Sequence, residues 1–245
     1  MSELAFPTRK LEDFRYADLD ALAGVWPVAR EEIHVAAGMS EALSVIEDAA
    51  GGAVARHLAI TLEAGARLDL RILNCGAAYG RIAVDARLGA GAEFTLGAAQ
   101  IGGGSQMLEI VTEVRHEAPD AISRQIVRSV LGESASGTYL GKVAVAPGAN
   151  GTDSAQSVRA MLLSREATAN ARPELEIHAD DVKCAHGCAV GELDAQGLFY
   201  MASRGIAPAE ARKLMLQAFI AEAFVGADDS ERLAALATAR LEALA

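Results

Sequence analysis

Apolar residues change their spacing twice along this chain, and each change marks a different kind of element. In residues 1–30, Leu4, Phe6, Leu11, Phe14, Tyr16, Leu19 and Leu22 recur at roughly three- to four-residue intervals. That spacing predicts one or two short helices. From residue 31 the pattern shortens to alternation. His57–Leu62, Arg67–Leu73 and Arg81–Leu88 each read as a strand with one apolar face. Turns at Ala64-Gly65-Ala66, Ala90-Gly91-Ala92 and Pro147-Gly148-Ala149 separate such stretches. Two of them sit in a weak internal repeat, Leu62-x-Ala-Gly-Ala-x-Leu68 and Leu88-x-Ala-Gly-Ala-x-Phe94. Its offset lies in the range of stacked solenoid units.

Two all-β architectures compete for this central region, assigned to residues 31–203. A sandwich or barrel needs hairpin turns, yet the only dipeptide of that kind is Asn150-Gly151. A parallel β-helix needs small residues where coils stack at their corners, and the recurrent Gly and Ala suit it. From residue 204 the pattern turns helical. Pro208 is placed for a first helical turn. Ala211, Leu214, Met215, Ala218, Phe219, Glu222 and Val225 then form a stripe, with Gly226 as a stop. Asp228 and Glu231 fit a capping box for a second helix with Leu233, Leu236, Arg240 and Leu244 along one face. The pair of helices either offers a docking surface or caps the end of the β core.

Composition narrows the classes. A chain of 245 residues that is 51% hydrophobic can bury a substantial core. It has no run of eighteen apolar residues, so no membrane span is expected. The start lacks the apolar core of a secretion signal, and three cysteines make a poor disulfide framework. Both point to a reducing cytoplasm. A net charge of −11 argues against nucleic acid as a partner. Gly137-Thr-Tyr-Leu-Gly-Lys142 has the wrong spacing for a phosphate loop, and Gly102-Gly-Gly104 is no dinucleotide fingerprint. A polysaccharide-acting β-helix enzyme would want aromatic sugar platforms. One tryptophan and four tyrosines disfavour it.

The chemistry concentrates in Pro173–Ile206, which holds Cys184, His186 and Cys188. On a strand these three share a face. Thiolate and imidazole together suit iron, iron–sulfur or zinc chemistry. Ligands at i, i+2 and i+4 cannot wrap one tetrahedral ion without strain, so the site is either transient or completed by another chain. The bland alternative is a small buried cysteine and a histidine bonded to backbone. Cys188 reads more readily as a packing residue, and Cys75 as structural. His34, His57, His116 and His178 are scattered and read as surface or satisfied core positions. Asp180 and Asp181 face opposite sides of a strand and cannot form a catalytic dyad. Thr152, Asp153 and Gln156 are expected to bond exposed backbone at a coil end.

The run Pro173, Leu175, Glu176, Ile177, Asp180, Asp181, Val182, Lys183, Cys184, His186, Gly187, Val190 and Gly191 closely resembles the SufB/SufD family of iron–sulfur assembly scaffolds. So does its continuation through Leu198, Phe199, Tyr200, Ser203, Arg204, Gly205 and Ile206, and the earlier Pro7–Tyr16. The Asp-Asp-Val-Lys-Cys-x-His-Gly form is that of SufD. The resemblance implies a right-handed parallel β-helix with a short N-terminal helical segment and a C-terminal helical region. It further implies a non-enzymatic scaffold that pairs with SufB and docks the SufC ATPase, or forms a homodimer when SufB is absent. His186, with Cys184, would meet a transient cluster shared with the partner, none being permanently bound. Arg204, Gly205 and Phe219 match positions of the SufC-docking region.

Overall fold

The computed structural model describes residues 5–244, so Leu4 of the expected N-terminal stripe lies outside the described residues. Twelve strands alternate between two six-stranded sheets, and every pairing is parallel. The first sheet holds β1 (Arg30–Val35), β3 (Ala53–Leu62), β5 (Tyr79–Leu88), β7 (Met107–His116), β9 (Ser136–Val145) and β11 (Thr168–Ile177). The second holds β2 (Ser40–Glu47), β4 (Arg67–Asn74), β6 (Glu93–Gly102), β8 (Ile122–Leu131), β10 (Asp153–Leu162) and β12 (Lys183–Gly191). The chain therefore winds as a parallel β-helix, and the sandwich and barrel readings fall away.

Register explains why the alternating pattern carries the fold. Leu62 pairs with Leu88 and Leu68 with Phe94, so the two copies of the repeat sit one above the other in successive coils. All four side chains are buried in the main core, together with Ala66 and Ala92 from the turns between them. Each such Leu or Phe contributes about 1.5–3 kcal/mol through burial. Gly65 and Gly91 hold the left-handed corner at φ 67° and 63°, and their N–H groups donate to Ala90 and Pro119 carbonyls in the next coil. The following corner has the same left-handed backbone at Asp120, φ 61°, whose N–H donates to Asn150. Aspartate tolerates that conformation better than most side chains. Asn150-Gly151, the one hairpin-type dipeptide, thus lies at a coil corner.

Helices pack on the outer faces of the two sheets. A 3-10 turn at Glu12–Phe14 and α1 (Leu19–Ala23) pack on the first sheet, where Phe14 stacks 4.2 Å from the Arg81 guanidinium of β5. Asp18 caps α1 by accepting from the Asp20 and Ala21 N–H groups. Toward the C-terminus α2 (Ala195–Ser203) begins inside the stretch expected to be β core, capped by Asp194. The β pattern stops earlier than expected because Leu193-Asp194-Ala195-Gln196 supplies a helix start where the alternation ends.

Beyond it run α3 (Pro208–Ala221), a 3-10 turn at Glu222–Phe224, and α4 (Ser230–Glu242). Two expectations are corrected here. The buried stripe of α3 is Ala211, Leu216 and Ile220, while Leu214 is exposed and Val225 is 73% exposed. On α4, Leu233, Ala237 and Leu241 are buried. The capping box is also absent. Asp229 is the residue at the cap, and its carboxylate accepts from the Ser44 hydroxyl on β2 at 2.9 Å instead of from its own helix. These helices bury a second core with Leu73, Ala99, Ile101 and Val130 against the outer face of the second sheet.

The candidate cluster face at the open end of the helix

Cys184, His186 and Cys188 lie on β12, the last strand of the second sheet, which is hydrogen-bonded to β10 on one side only. Their register partners are Ser154, Gln156 and Val158. All three partners are buried, so the three candidate residues continue a column that faces the interior of the winding. Among the described residues no further coil covers them. Cys184 is half-buried against the main core, and His186 and Cys188 are exposed. Sequence reasoning placed them on one face; the structure makes that face the open end of a tube.

The interior changes character on the way to that end. One column reads Leu43, Leu70, Leu96, Gln125, Gln156, His186 from first coil to last. The neighbouring one reads Leu68, Phe94, Ser123, Ser154, Cys184. Leucine and phenylalanine thus give way to amides and hydroxyls, and these to imidazole and thiol. In the sequence this is a second repeat: Ser-Arg-Gln-Ile-Val at 123–127, Ser-Ala-Gln-Ser-Val at 154–158 and Cys-Ala-His-Gly-Cys at 184–188. Polar residues at matched spacing were the available signal, and only the register shows that they point inward.

The buried polar side chains are bonded to one another, as burial without partners would be costly. His116 Nε2 lies 2.9 Å from Ser123 Oγ, which lies 2.8 Å from Ser154 Oγ, one strand short of Cys184. Burial pushes the His116 imidazole down to about 4. Tyr139 donates to Gln125 Oε1 at 3.1 Å and stands 3.0 Å from Thr112 Oγ1; Gln156 Nε2 reaches it at 3.4 Å. Gln156 was expected to bond exposed backbone, and instead it points into this network. Asp153 departs likewise, its carboxylate accepting from Arg124 Nη2 at 2.7 Å. Thr152 does bond backbone, donating to the Ala149 carbonyl at 2.8 Å.

Burial favours the protonated form of the thiols at the open end. Burial pushes the Cys184 thiol up; a hydrogen bond from the Ser154 backbone opposes the shift, and the charge of Asp153 adds to it. Burial also raises Cys188. A thiol becomes a ligand as thiolate, so metal must displace the proton. Among the described residues no three His, Cys, Asp or Glu side chains converge to hold a metal ion. The other histidines have partners: His34 with Glu63, His57 with Asp85, His116 with Ser123, His178 with Glu176. His186 alone among the described histidines has none. Cys75 is buried in the second core.

The docking candidates separate. Arg204 and Gly205 form the exposed corner between α2 and α3, with the Arg204 guanidinium 5.1 Å above the Tyr200 ring and Phe199 76% exposed beside them. Phe219 is half-buried on the sheet side of α3, packed against the second core and 5.8 Å from the Arg128 guanidinium. No helix among the described residues is long and apolar enough to cross a membrane.

The chain is a parallel β-helix whose last coil has free strand edges and carries thiol and imidazole side chains. Residues 23–219 match the family model for the SUF system FeS cluster assembly, SufBD core domain. The chain belongs to that family. It is 33% identical over 118 residues to the iron-sulfur cluster assembly protein SufD of Escherichia coli, covering 48% of this chain and 28% of that protein. It is 35% identical over 119 residues to a SufBD family protein of Synechocystis, covering 49% and 26%. A Mycobacterium tuberculosis SufBD family protein is 29% identical over 221 residues, covering 75% and 56%. The chain thus spans between about a quarter and about half of the length of these relatives.

Proposed function

We propose that this chain is a non-enzymatic scaffold subunit that pairs with SufB through the open end of its β-helix and presents Cys184 and His186 to a nascent cluster. One observation carries the reading. The two residues sit on the free edge of β12, beside the equally free edge of β11, and the described residues supply too few donors for a metal. Two unpaired strand edges side by side are a template for strand addition from another chain. Ile177 and Val190, 40% and 47% exposed, provide apolar contact at the ends of those strands. The edges are equally open to a second copy of this chain when SufB is absent.

The chemistry follows from the ligand types. Iron–sulfur clusters are held by thiolates, and histidine can replace thiolate on an iron. The cluster here is cargo that must leave. Ligands divided between two subunits release it when the subunits shift, whereas a full set on one chain would retain it. The α2–α3 corner, with Arg204, Gly205 and exposed Phe199 and Tyr200, is the surface we assign to SufC. Phe219 would support that surface from beneath. The test is anaerobic co-expression with SufB and SufC, followed by purification and assay of iron and sulfide. A complex carrying both is expected. A chain that purifies alone in their presence would reject the reading.

A further inference from the structure

The polar network behind His186 is one donor short of closed, and the missing bond identifies a residue that orients the imidazole. Gln125 Oε1 receives Tyr139, whose hydroxyl therefore has lone pairs and no proton left for Gln156. Gln156 must turn its Nε2 toward Tyr139, which it does at 3.4 Å. This fixes the amide's orientation, and Gln156 Oε1 is left as a buried acceptor with no partner. An orphaned buried acceptor is costly and rare. Gln156 is 3% exposed, and the register neighbour on its open side is His186, which itself has no partner among the described residues. Register neighbours on adjacent strands stand about 4.8 Å apart with side chains on the same face.

We propose that Gln156 is a positioning residue for His186: its Oε1 accepts an imidazole N–H, which fixes one tautomer and turns the other ring nitrogen, with its lone pair free, toward the open end. A metal-ligating histidine takes its tautomer and orientation from what its second nitrogen donates to. Gln125 Nε2, also unpartnered, does not compete, since an amide oxygen can accept twice. The network from Thr112 to Gln156 thereby serves to hold one exposed ring in a ligating pose. The purpose assigned to the bond rests on the function proposed above; the bond itself does not.

The experiment uses the full chain without metal, labelled with ¹⁵N-histidine, at about pH 8, above the ordinary histidine pKa of about 6.5. Long-range ¹H–¹⁵N spectra report each imidazole's tautomer, and His186→Gln assigns the signal. His186 is expected in one tautomer in the parent chain. Gln156→Leu and Gln156→Met should both move it to the mixture shown by free histidine, while Gln156→Glu, which keeps an acceptor oxygen, restores the single tautomer. The buried His116 signal, unchanged throughout, shows that each variant is folded. A mixed tautomer in the parent chain, or a single one that survives both apolar substitutions, overturns the proposal. Cluster assembly that survives His186→Ala would remove the proposed function while leaving the tautomer result intact, so the two failures are separable.

Discussion

His116 shows what a polar residue inside the winding implies for stability. It is fully buried and bonded to Ser123, and burial lowers its pKa to about 4 from 6.5. The folded state thus binds this proton less readily than the unfolded state. Its contribution is intact above about pH 6.5 and is lost progressively as pH falls toward 4. At 1.36 kcal/mol per unit, the penalty at pH 4.5 is roughly 2–3 kcal/mol. His116→Gln keeps a donor and cannot titrate. Denaturant unfolding at pH 7 and pH 4.5 should show the variant losing less stability than the parent by about that amount; an equal loss would show that His116 does not titrate with folding. His186 has no such structural duty. His186→Ala should leave the thermal midpoint unchanged and reduce the iron and sulfide recovered with the co-expressed complex to background.

At the scale of elements, the helices meet the β-helix through a contact that only a glycine permits. A Cβ on Gly97 would fall 1.8 Å from the Ala223 carbonyl oxygen and 2.3 Å from Arg71 Nη1, the pair whose 2.7 Å hydrogen bond fastens the Glu222–Phe224 turn to the sheet. Gly97→Ala should therefore cost about 1–3 kcal/mol by overpacking. Hydrogen exchange should quicken in α3 and α4 while the strands stay protected; uniform loss of protection would show that the helices and coils unfold as one unit. The same contact explains what was legible in sequence. The spacing correctly gave two helices after residue 204, because periodicity depends on local sequence. It misjudged the buried face, because Leu216 and Ile220 pack with Leu73, Ala99, Ile101 and Val130 of the second sheet, a contact that spacing alone does not specify. α2 is short, nine residues beginning four positions after the end of β12, and its span lies inside the region read as β core. Phe219 consequently calls for a careful variant. Phe219→Asp places a carboxylate against the second core, so weakened SufC pull-down would need to come with an unchanged melting midpoint to count as lost docking.

The molecule as a whole is a winding that grows polar toward one end, where β11 and β12 have free edges, as β1 and β2 have at the other. The Ala-Gly-Ala turns made the stacking readable, and the Cys-Ala-His-Gly-Cys motif marked the candidate site. What no stretch of sequence could show is that the motif is the third rung of Ser-x-Gln-x-Val, since register between strands about thirty residues apart is a property of the assembled coils. That placement makes the open end testable as an interface. Ile177 and Val190 are already 40% and 47% exposed, so Ile177→Lys with Val190→Lys should change the stability of the chain by no more than about 0.5 kcal/mol per site. In a complex continued across these edges, both ammonium groups would have to be desolvated. Association with SufB should weaken by at least about tenfold, or about 1.4 kcal/mol, with Cys184 and His186 untouched. Binding to SufC through α2 and α3 should persist, which makes the outcome specific to one surface. If the double variant bound SufB as tightly as the parent, the partner would have to sit elsewhere, and the thiol and imidazole at the open end would be left without the second set of ligands that their function requires.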